Sequence, residues 1–509
     1  MERTAEGDLI IMPPAGGSSG RGNARLTSLF ESWASREGTG LVFDSSTGFK
    51  LPNGTTRSTD VAWVRNERLD QRSDEEWEKL SIHWKRTVFS FGLAFSLAGV
   101  SAFSGVQTVP PPPVTPGNPI PSWLAKAPSL PPPEGAVIRV KNAADLLAAA
   151  DHVEPGGTIL VEDGHYVLPR VLVFDGKSRI FLRGASGDPL KATLSGQGWD
   201  RQSKGGDILH IAHCDGVTIA DLTFADSRSY GIKVEAEHGP RDIRIHNCRF
   251  RDIGVRAIKG SAGQDPNLRA VNGSVRYCSF ENTKIPPADW LYGGDYVAAI
   301  DMMALEDWTF SDNYFRNIKG RNGGGRAAIF IWVRSRRVVI ERNVIVDCDR
   351  GVALGNPGQS TANAGGKEPP YVAEGVIRNN FIAGGADCGI ELWHCDHIQV
   401  YHNTIWRPER NWNRGIRVGT GTARTDIVNN LVHGEIRLEG GEAELRSNLT
   451  GKLTGFFVDA PSGNLALTAA ATAAMDKALS LPEAVDDIRR HPRSGKPDIG
   501  AWEFERDGQ

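Results

Sequence analysis

Residues 221–226 read DLTFAD, and variants of this phrase return along the chain as far as residue 452. Each copy has the length and the aromatic or β-branched content of a short strand that begins at a turn. The later copies are NCRFRD at 247–252, YCSFEN at 277–282, DNYFRN at 312–317, RNVIVD at 342–347, NNFIAG at 379–384, HNTIWR at 402–407, NNLVHG at 429–434 and SNLTGK at 447–452. Their irregular spacing fits a solenoid with loops inserted in some turns.

Alignment of the copies produces two columns of residues. The fourth position is apolar and comprises Phe224, Phe250, Phe280, Phe315, Ile345, Ile382, Ile405 and Val432. The second position comprises Leu222, Cys248, Cys278, Asn313, Asn343, Asn380, Asn403, Asn430 and Asn448. Stacked asparagines at a turn can hydrogen-bond the backbone and one another, so a buried turn keeps its polar groups paired. Because one repeat cannot bury its apolar side alone, neighbouring repeats must cover each other.

A second phrase follows within the repeats, in the forms GIKV, AIKG, AIDM, AIFIW, GVAL, GIELW and GIRV. Alternate residues of a strand face opposite sides. The residues expected to face inward are Ile232, Ile258, Ile300, Ile329, Val352, Ile390 and Ile416. Together, the phrases, their spacing and the asparagine column resemble the right-handed parallel β-helix of the pectin-lyase-like superfamily. The resemblance implies a mainly β fold, with a right-handed parallel β-helix over residues 136–460 and a tail over 461–509 that packs on it.

The two ends of this region carry further signals. Asn142 is the expected N-cap of a short helix whose apolar face, with Leu146 and Leu147, would cover the open end of the solenoid. The phrase KPDIGAWEF at 496–504 resembles the closing phrase of many exported β-helix proteins. Insertions are expected at 262–274, 284–297 and 356–371, where the repeats are longest.

The composition limits the classes of partner. The formal net charge is −3 over 509 residues, so bulk electrostatics does not point to nucleic acid or to a membrane surface. Six cysteines do not make a disulfide scaffold at this length. Cys248 and Cys278 occupy equivalent positions and are expected to stack as buried thiols, with a disulfide as the alternative in an exported chain.

Residues 1–80 form a separate segment. The phrases IMPPAGG, FDSSTGF, LPNG and STDVAWV resemble the opening of the Uma-type family of restriction endonucleases, and a helix is expected near 23–36. The resemblance implies a small α/β fragment in which Asp60 is the metal-binding carboxylate. Ser18 stands where that family carries an acidic residue, and the later E-x-K strand is missing. We therefore expect a truncated and inactive nuclease remnant, with a metal-dependent nuclease as the competing hypothesis.

Residues 83–105 combine Lys85 and Arg86 with an apolar run and a small-residue cleavage site, which is the design of a secretory signal peptide. We expect the product to be secreted or periplasmic, and a membrane-anchored form is the alternative. Residues 106–135 are rich in proline and are expected to form an extended spacer without a core.

The outward positions of the second phrase are the candidate substrate surface. They comprise Lys233, Glu235, Lys259, Ser261, Asp301, Met303, Phe330, Trp332, Arg334, Glu391, Trp393 and Arg417. Strands lie about 4.8 Å apart, a pitch that suits an extended polysaccharide. Trp332, Trp393 and Phe330 are expected to contact sugar faces, and Glu235 and Glu391 to bind substrate.

For an acidic polysaccharide, β-elimination requires a base and a cation that holds the developing negative charge. Lys259 is the expected base, with its pKa lowered by Lys233. Asp301 completes the expected catalytic group, and Arg256 or Arg334 would clamp the carboxylate. The β-helix resemblance implies that Ca²⁺ is a possible cofactor, with Glu235, Asp301 or Glu391 as oxygen donors.

Two other functions compete with the lyase. A polysaccharide hydrolase would use Asp301 with Glu235 or Glu391 as the second carboxylate. A non-catalytic β-helix would bind glycans or act as a surface spacer, because charges on a sheet face commonly pair across strands. A polysaccharide is the expected partner, the chain is expected to be monomeric, and we expect no nucleic acid and no membrane contact beyond a signal anchor.

Overall fold

The computed structural model describes residues 120–199, 206–357, 370–407, 414–493 and 495–505, together with short strands within the first 83 residues. The chain divides into two compact units, Met1–Pro112 and Pro113–Gln509. In the first unit, the strands are Glu2–Arg3, Leu9–Ile10, Gly40–Asp44, Gly48–Lys50, Thr56–Ser58, Val61–Arg65 and Ser81–His83. Asp60, the expected helix near 23–36 and the apolar run of the 83–105 segment lie outside the described residues.

The second unit is a right-handed parallel β-helix, in which each full coil passes through three parallel sheets in the order A, B and C. Sheet A contains the strands Val137–Val140, Thr158–Val161, Ser178–Gly184, Asp215–Ala220, Arg241–His246, Ala270–Arg276, Leu305–Ser311, Ser335–Arg336, Val339–Glu341, Val372–Ala373, Val376–Arg378, Cys395–Asp396, Gln399–Tyr401, Thr425–Val428 and Ala443–Arg446. Sheet B contains Gly164–Val167, Ala192–Gly198, Thr223–Ser227, Arg249–Ile253, Ser279–Glu281, Tyr314–Arg316, Val344–Val346, Phe381–Ala383, Thr404–Trp406, Leu431–His433 and Leu449–Gly451. Sheet C contains Leu172–Asp175, Leu209–Ala212, Tyr230–Glu235, Arg256–Ser261, Ala298–Met303, Ala327–Trp332, Arg350–Leu354, Cys388–Leu392, Ile416–Gly419 and Ile436–Glu439.

Both predicted apolar columns are confirmed. In sheet B, the Phe224, Phe250, Phe280 and Phe315 rings stack with centroids 5.2, 4.7 and 4.7 Å apart in turn. In sheet C, the seven expected inward residues from Ile232 to Ile416 are fully buried. The two columns face each other across the interior, so burial of alternate residues holds each coil in register with the next.

The asparagine column is a ladder of hydrogen bonds at the turns between sheets A and B. The Asn343 Oδ1 atom accepts from the Asn313 backbone N–H at 3.1 Å and from the Asn313 Nδ2 atom at 3.0 Å. The Asn343 Nδ2 atom donates to the Phe310 carbonyl at 3.0 Å. The same pattern passes through Asn380, Asn403 and Asn430 to Asn448. Each side chain therefore satisfies buried backbone groups of neighbouring coils.

At the start of this ladder, the cysteines replace asparagine. Cys248 and Cys278 are buried and unbridged, and the Cys248 backbone N–H donates to the Cys278 sulfur at 3.4 Å. Burial raises the pKa of the Cys248 thiol well above its ordinary value, and Cys278 adds to the shift. These thiols therefore act as small buried members of the stack.

Asn380→Ala is expected to lower the free energy of unfolding by about 3 kcal/mol, because it leaves several buried backbone and amide groups without partners. Asn380 accepts from the Asn343 N–H and donates to the Ile340 carbonyl at 2.9 Å. Urea denaturation followed by circular dichroism measures the change. The control is Asn267→Ala in an exposed loop, expected within about 0.5 kcal/mol of the parent. An equally small effect at Asn380 would contradict the role of the ladder.

The ends of the solenoid differ. Helix α1, Ala143–His152, begins at Asn142, whose side chain accepts from the Asp145 N–H at 2.9 Å, and it buries Leu146 and Leu147 over the first coils. At the other end, Leu438 and Leu445 continue the inward columns but stay about half exposed. Among the described residues, the 3₁₀ turns Ala236–His238, Leu291–Gly294 and Ala460–Ser462 lie in the connections, and the tail contains the hairpin Phe457–Asp459 with Asn464–Leu467.

The tail packs along the outer face of sheet B, where Leu465, Ile488 and Ala501 contact Val344 and Phe381. The expectation that the proline-rich spacer forms no core fails for residues 120–135. The Trp123 ring meets the Phe381 ring edge-on at 5.7 Å, and the Pro128 and Pro131 carbonyls accept hydrogen bonds from His246 and Arg183. Trp123 and Leu124 of this spacer supply apolar contact area that its proline content does not indicate.

Within the part of the chain that the structure describes, helices are too short or too polar to cross a membrane.

Candidate active site

The register of sheet C places the expected outward residues in one row. Neighbouring strands pair His210 with Lys233, Lys233 with Lys259, Lys259 with Asp301, and Asp301 with Phe330. The row then continues through Ala353, Glu391 and Arg417. In the next outward row, Glu235 lies beside Ser261 and Met303 lies beside Trp332. Strand alternation therefore brings the predicted side chains that lie within the strands onto one face of sheet C.

Asp301 is the centre of the row and is 1% exposed. Its Oδ2 atom accepts from the Arg256 Nε atom at 2.5 Å. Its Oδ1 atom accepts from the Lys259 Nζ atom at 3.1 Å and from the Trp332 Nε1 atom at 3.0 Å. One buried carboxylate thus joins two cations and an indole on neighbouring strands.

The charges of this group are mutually dependent. Burial alone would raise the pKa of Asp301, but the Arg256 guanidinium and the Lys259 ammonium outweigh it, so the pKa is lowered and the group is ionised. The pKa of Lys259 is lowered chiefly by burial, with Arg256 and Lys233 adding to the shift and Asp301 opposing it. Lys259 is 7% exposed. The expected influence of Lys233 is present, but burial is the larger cause.

Arg256 connects this group to the 284–297 insertion. Its guanidinium lies 4.0 Å from the centre of the Tyr296 ring, and its Nη1 atom donates to the Tyr296 and Val255 carbonyls at 2.8 Å each. Tyr296 was not among the predicted site residues. The length of the insertion indicated a loop at this place, but the loop has no repeat pattern to show which residue faces the sheet.

The aromatic residues beside Asp301 form a small cluster apart from the main core. Phe330 is buried, and its ring stacks on Trp332 with centroids 5.3 Å apart. Trp332 is half-buried, and Tyr371 meets its ring edge-on at 5.9 Å. Trp393 follows the strand Cys388–Leu392 and has the Arg417 guanidinium 5.3 Å from its ring centre. Trp332 therefore keeps a partly open ring while its N–H holds Asp301.

Glu391 is separated from Asp301 by three strand steps, or about 14 Å. It is 1% exposed and lies 3.4 Å from the Arg350 Nη1 atom and 3.3 Å from the Arg417 Nη1 atom. Burial raises its pKa, against the effect of Arg350. The carboxylates of glycosidases lie about 5–9.5 Å apart. The Asp301–Glu391 pair does not meet that requirement.

Glu235 lies in the neighbouring outward row, on the other side of Asp301 from Glu391. Its Oε1 atom is 3.0 Å from the Lys233 Nζ atom and 3.1 Å from the His210 Nδ1 atom. Among the described residues, Glu235, Glu237 and His238 form a group able to hold a metal ion. Calcium prefers a shell of oxygen donors, whereas this group contains an imidazole and a carboxylate already engaged by Lys233. This group therefore does not suit the Ca²⁺ that the resemblance allowed for, and Asp301 and Glu391 are paired with cations.

Arg334 lies elsewhere. It follows the strand Ala327–Trp332 at a positive φ of 54°, and its Nη2 atom donates to the Gly263 carbonyl at 2.8 Å. Within the described residues, this contact ties the 262–274 insertion to sheet C and does not bring Arg334 to Asp301. Of the two arginines expected as clamps, Arg256 is the one at the site.

Comparison with known families agrees with this fold. Residues 207–432 match the family model described as "Right handed beta helix region". This part of the chain is a right-handed β-helix region. Residues 1–84 match the Uma2 model, described as "Putative restriction endonuclease". No curated protein sequence matches the chain.

Solved structures of similar shape include the pectate lyase Pel9A, at 13% identity over 70% of this chain and 90% of that chain, with a TM-score of 0.39. PfbA, a surface adhesin of Streptococcus pneumoniae, is 14% identical over 60% of this chain and 85% of that chain, with a TM-score of 0.44. A PL6 alginate lyase in complex with a trisaccharide is 14% identical over 63% and 81%, with a TM-score of 0.41.

Proposed function

We propose that the β-helix binds an acidic polysaccharide along sheet C and cleaves it by β-elimination, with Lys259 as the base. The observation that carries the proposal is a lysine with a lowered pKa, held at 3.1 Å by a buried carboxylate in the middle of an outward row of charged and aromatic residues. A general base must have a pKa low enough to supply the neutral form, and burial acts in that direction on Lys259.

The reaction removes the proton on the carbon next to the sugar carboxylate. The neutral Lys259 amine takes this proton, and the electron pair of the C–H bond forms a carbon–carbon double bond. The bond from the neighbouring carbon to the glycosidic oxygen breaks, and that oxygen leaves with the bonding pair and takes a proton from solvent. Negative charge on the sugar carboxylate grows in the transition state, so a nearby cation lowers the barrier.

In this proposal, the residues of sheet C have separate roles. Asp301 is a positioning residue, because it holds Lys259 and Arg256 and is closed to substrate by burial. Lys233, one strand from Lys259, supplies positive charge beside the base. Trp332 and Trp393 are suited to contact sugar faces. Phe330 is better suited to support Trp332, since its ring is buried and stacks on the Trp332 ring.

A non-catalytic glycan-binding protein is the second candidate. The ion pair between Lys259 and Asp301 favours it, because a stable ammonium group binds an acidic sugar without abstracting a proton. The hydrolase alternative lacks such support, because Asp301 and Glu391 lie farther apart than the two carboxylates of a glycosidase.

The proposal is tested by incubating the full chain with pectate, alginate and glycosaminoglycans and following the ultraviolet absorbance of unsaturated products. A rise in absorbance that depends on enzyme concentration is expected with at least one polymer. Binding of a polymer, measured by affinity electrophoresis, without any rise in absorbance would favour the second candidate. Neither binding nor a rise would overturn both.

We propose further that the 83–105 segment exports the β-helix and that residues 1–80 are an inactive nuclease remnant. The apolar run behind Lys85 and Arg86 supports the first statement. The missing E-x-K strand supports the second, because one carboxylate from Asp60 cannot build a nuclease metal site.

A further inference from the structure

Arg326 is a half-buried cation immediately before the strand Ala327–Trp332 of sheet C. Its guanidinium lies 5.6 Å from the centre of the Tyr292 ring. Among the described residues, no carboxylate forms an ion pair with it. Burial lowers its pKa, and the neighbouring Arg256 and Arg350 guanidinium groups lower it further. A charge in this position is costly unless an anion compensates it.

A second cationic group lies two strand steps away, at the start of the strand Arg256–Ser261. Arg256 is 1% exposed, and its buried Nη2 atom has no hydrogen-bond partner within the described part of the chain, whereas its other two nitrogens donate hydrogen bonds. Among the described residues, Arg256, Lys259 and Arg326 together have a single ion-paired carboxylate, that of Asp301. The group therefore carries an excess of positive charge, which a ligand with an anionic group would neutralise.

The 284–297 insertion adds an aromatic wall to this cationic group. Tyr292 is 49% exposed and Leu291 is 62% exposed at its tip. The Tyr292 and Tyr296 rings lie 5.1 Å apart, and Tyr296 covers Arg256. The backbone from Tyr292 to Gly294 has three consecutive positive φ values, 55°, 65° and 86°, which turn the tip sharply at this point. An open ring thus stands beside a guanidinium that has no ion-paired carboxylate among the described residues.

We propose that Arg326 and Tyr292 form an anion-recognition subsite, with positive charge added by the buried Arg256, for a second acidic sugar of the polysaccharide whose cleavage is proposed at Lys259. Arg326 would bind the carboxylate or sulfate, and Tyr292 would contact the face of the sugar ring. The inference rests on the proposed polysaccharide function and adds a specificity element to it. The strand that follows Arg326 lies two steps from that of Lys259, or about 10 Å, so the subsite would take a sugar beyond the one at the base.

The test measures equilibrium binding of the full chain to polygalacturonate, alginate and unsulfated chondroitin, each beside a carboxyl-reduced counterpart. Arg326→Gln is expected to weaken binding of the acidic form about tenfold or more and to leave binding of the reduced form within about twofold, because a charge-assisted pair is lost. Tyr292→Ala is expected to weaken both forms, because ring contact does not depend on the anion. Arg241→Gln, which removes an exposed charge from sheet A, is the matched control.

The outcomes separate this inference from the proposed function. Equal affinity of Arg326→Gln and the parent for every acidic polymer would overturn the subsite and leave the polysaccharide function standing. No binding of any polymer by the parent would overturn the function itself, and the subsite with it. Arg326→Lys keeps the charge and is expected to recover part of the lost affinity. If Arg326→Gln does not fold, Arg326→Lys and Tyr292→Ala decide the matter. The subsite would be overturned if Arg326→Lys lost less than twofold in affinity and Tyr292→Ala lost none.

Discussion

Lys259→Met is expected to lower the turnover of an acidic polysaccharide about a hundredfold or more, the scale of a lost general base. Methionine keeps an unbranched stem of similar length and leaves Asp301 paired with Arg256. Binding is expected to change less than turnover, because the other charged and aromatic groups of the row remain. The measurement compares initial rates of unsaturated-product formation with affinities for the same polymer. Lys141→Met, at an exposed position near helix α1, is the control.

The pH dependence provides a second check on Lys259. The base is active when neutral, and burial lowers its pKa from 10.5. The rate is therefore expected to rise with pH and to level off above the lowered pKa, with a midpoint below that of an exposed lysine. Full turnover by Lys259→Met would show that Lys259 is not the base. A rate that does not change between neutral pH and the pKa of an exposed lysine would show the same.

Asp301→Ala is expected to lower the free energy of unfolding by about 3–5 kcal/mol. Removal of this carboxylate leaves Arg256 and Lys259 as buried cations side by side, and breaking a buried ion pair from one partner has a cost of this size. The change is measured by urea denaturation at neutral pH. The substitution is also expected to abolish turnover, since Lys259 loses the hydrogen bond that positions it.

The matched control for Asp301 is Glu444→Ala. Glu444 pairs with Arg446 at 3.2 Å, but their side chains are 66% and 43% exposed. Exposed pairs contribute between 0 and about 1 kcal/mol. If Asp301→Ala lowers the free energy of unfolding no more than Glu444→Ala does, the group around Asp301 is solvated, and its ion pairs stabilise the sheet no more than an exposed pair.

The repeat pattern was sufficient to predict the solenoid. Phe250, Asn343 and Ile300 each belong to a column whose members recur at equivalent positions, and burial or hydrogen bonding of one member requires the next. Strand alternation also predicted that Lys259 and Asp301 face outward on adjacent strands, as their register shows. These statements need only local geometry and the stacking of identical units.

The residues missed by this reasoning lie where the repeat is interrupted. Tyr292, Tyr296 and Arg326 belong to the 284–297 insertion or to the end of a connection, and such segments have no period from which a facing side can be deduced. Arg334 is the opposite case, because the sequence predicted it at the site and the structure places it elsewhere. It continues the outward alternation of its strand in the sequence, but the strand ends at Trp332 and the backbone turns, so its side chain reaches Gly263.

The phrase that begins with DLTFAD at 221–226 thus determines the coil, its inward columns and the face on which chemistry is possible, because each of these depends on residues a fixed number of positions apart. The tertiary structure decides that Asp301 is buried beneath Arg256, Lys259 and Trp332, and that Arg326 stands without an anionic partner among the described residues. Such contacts join side chains from different coils, and their charge state depends on how much water the neighbouring loops exclude.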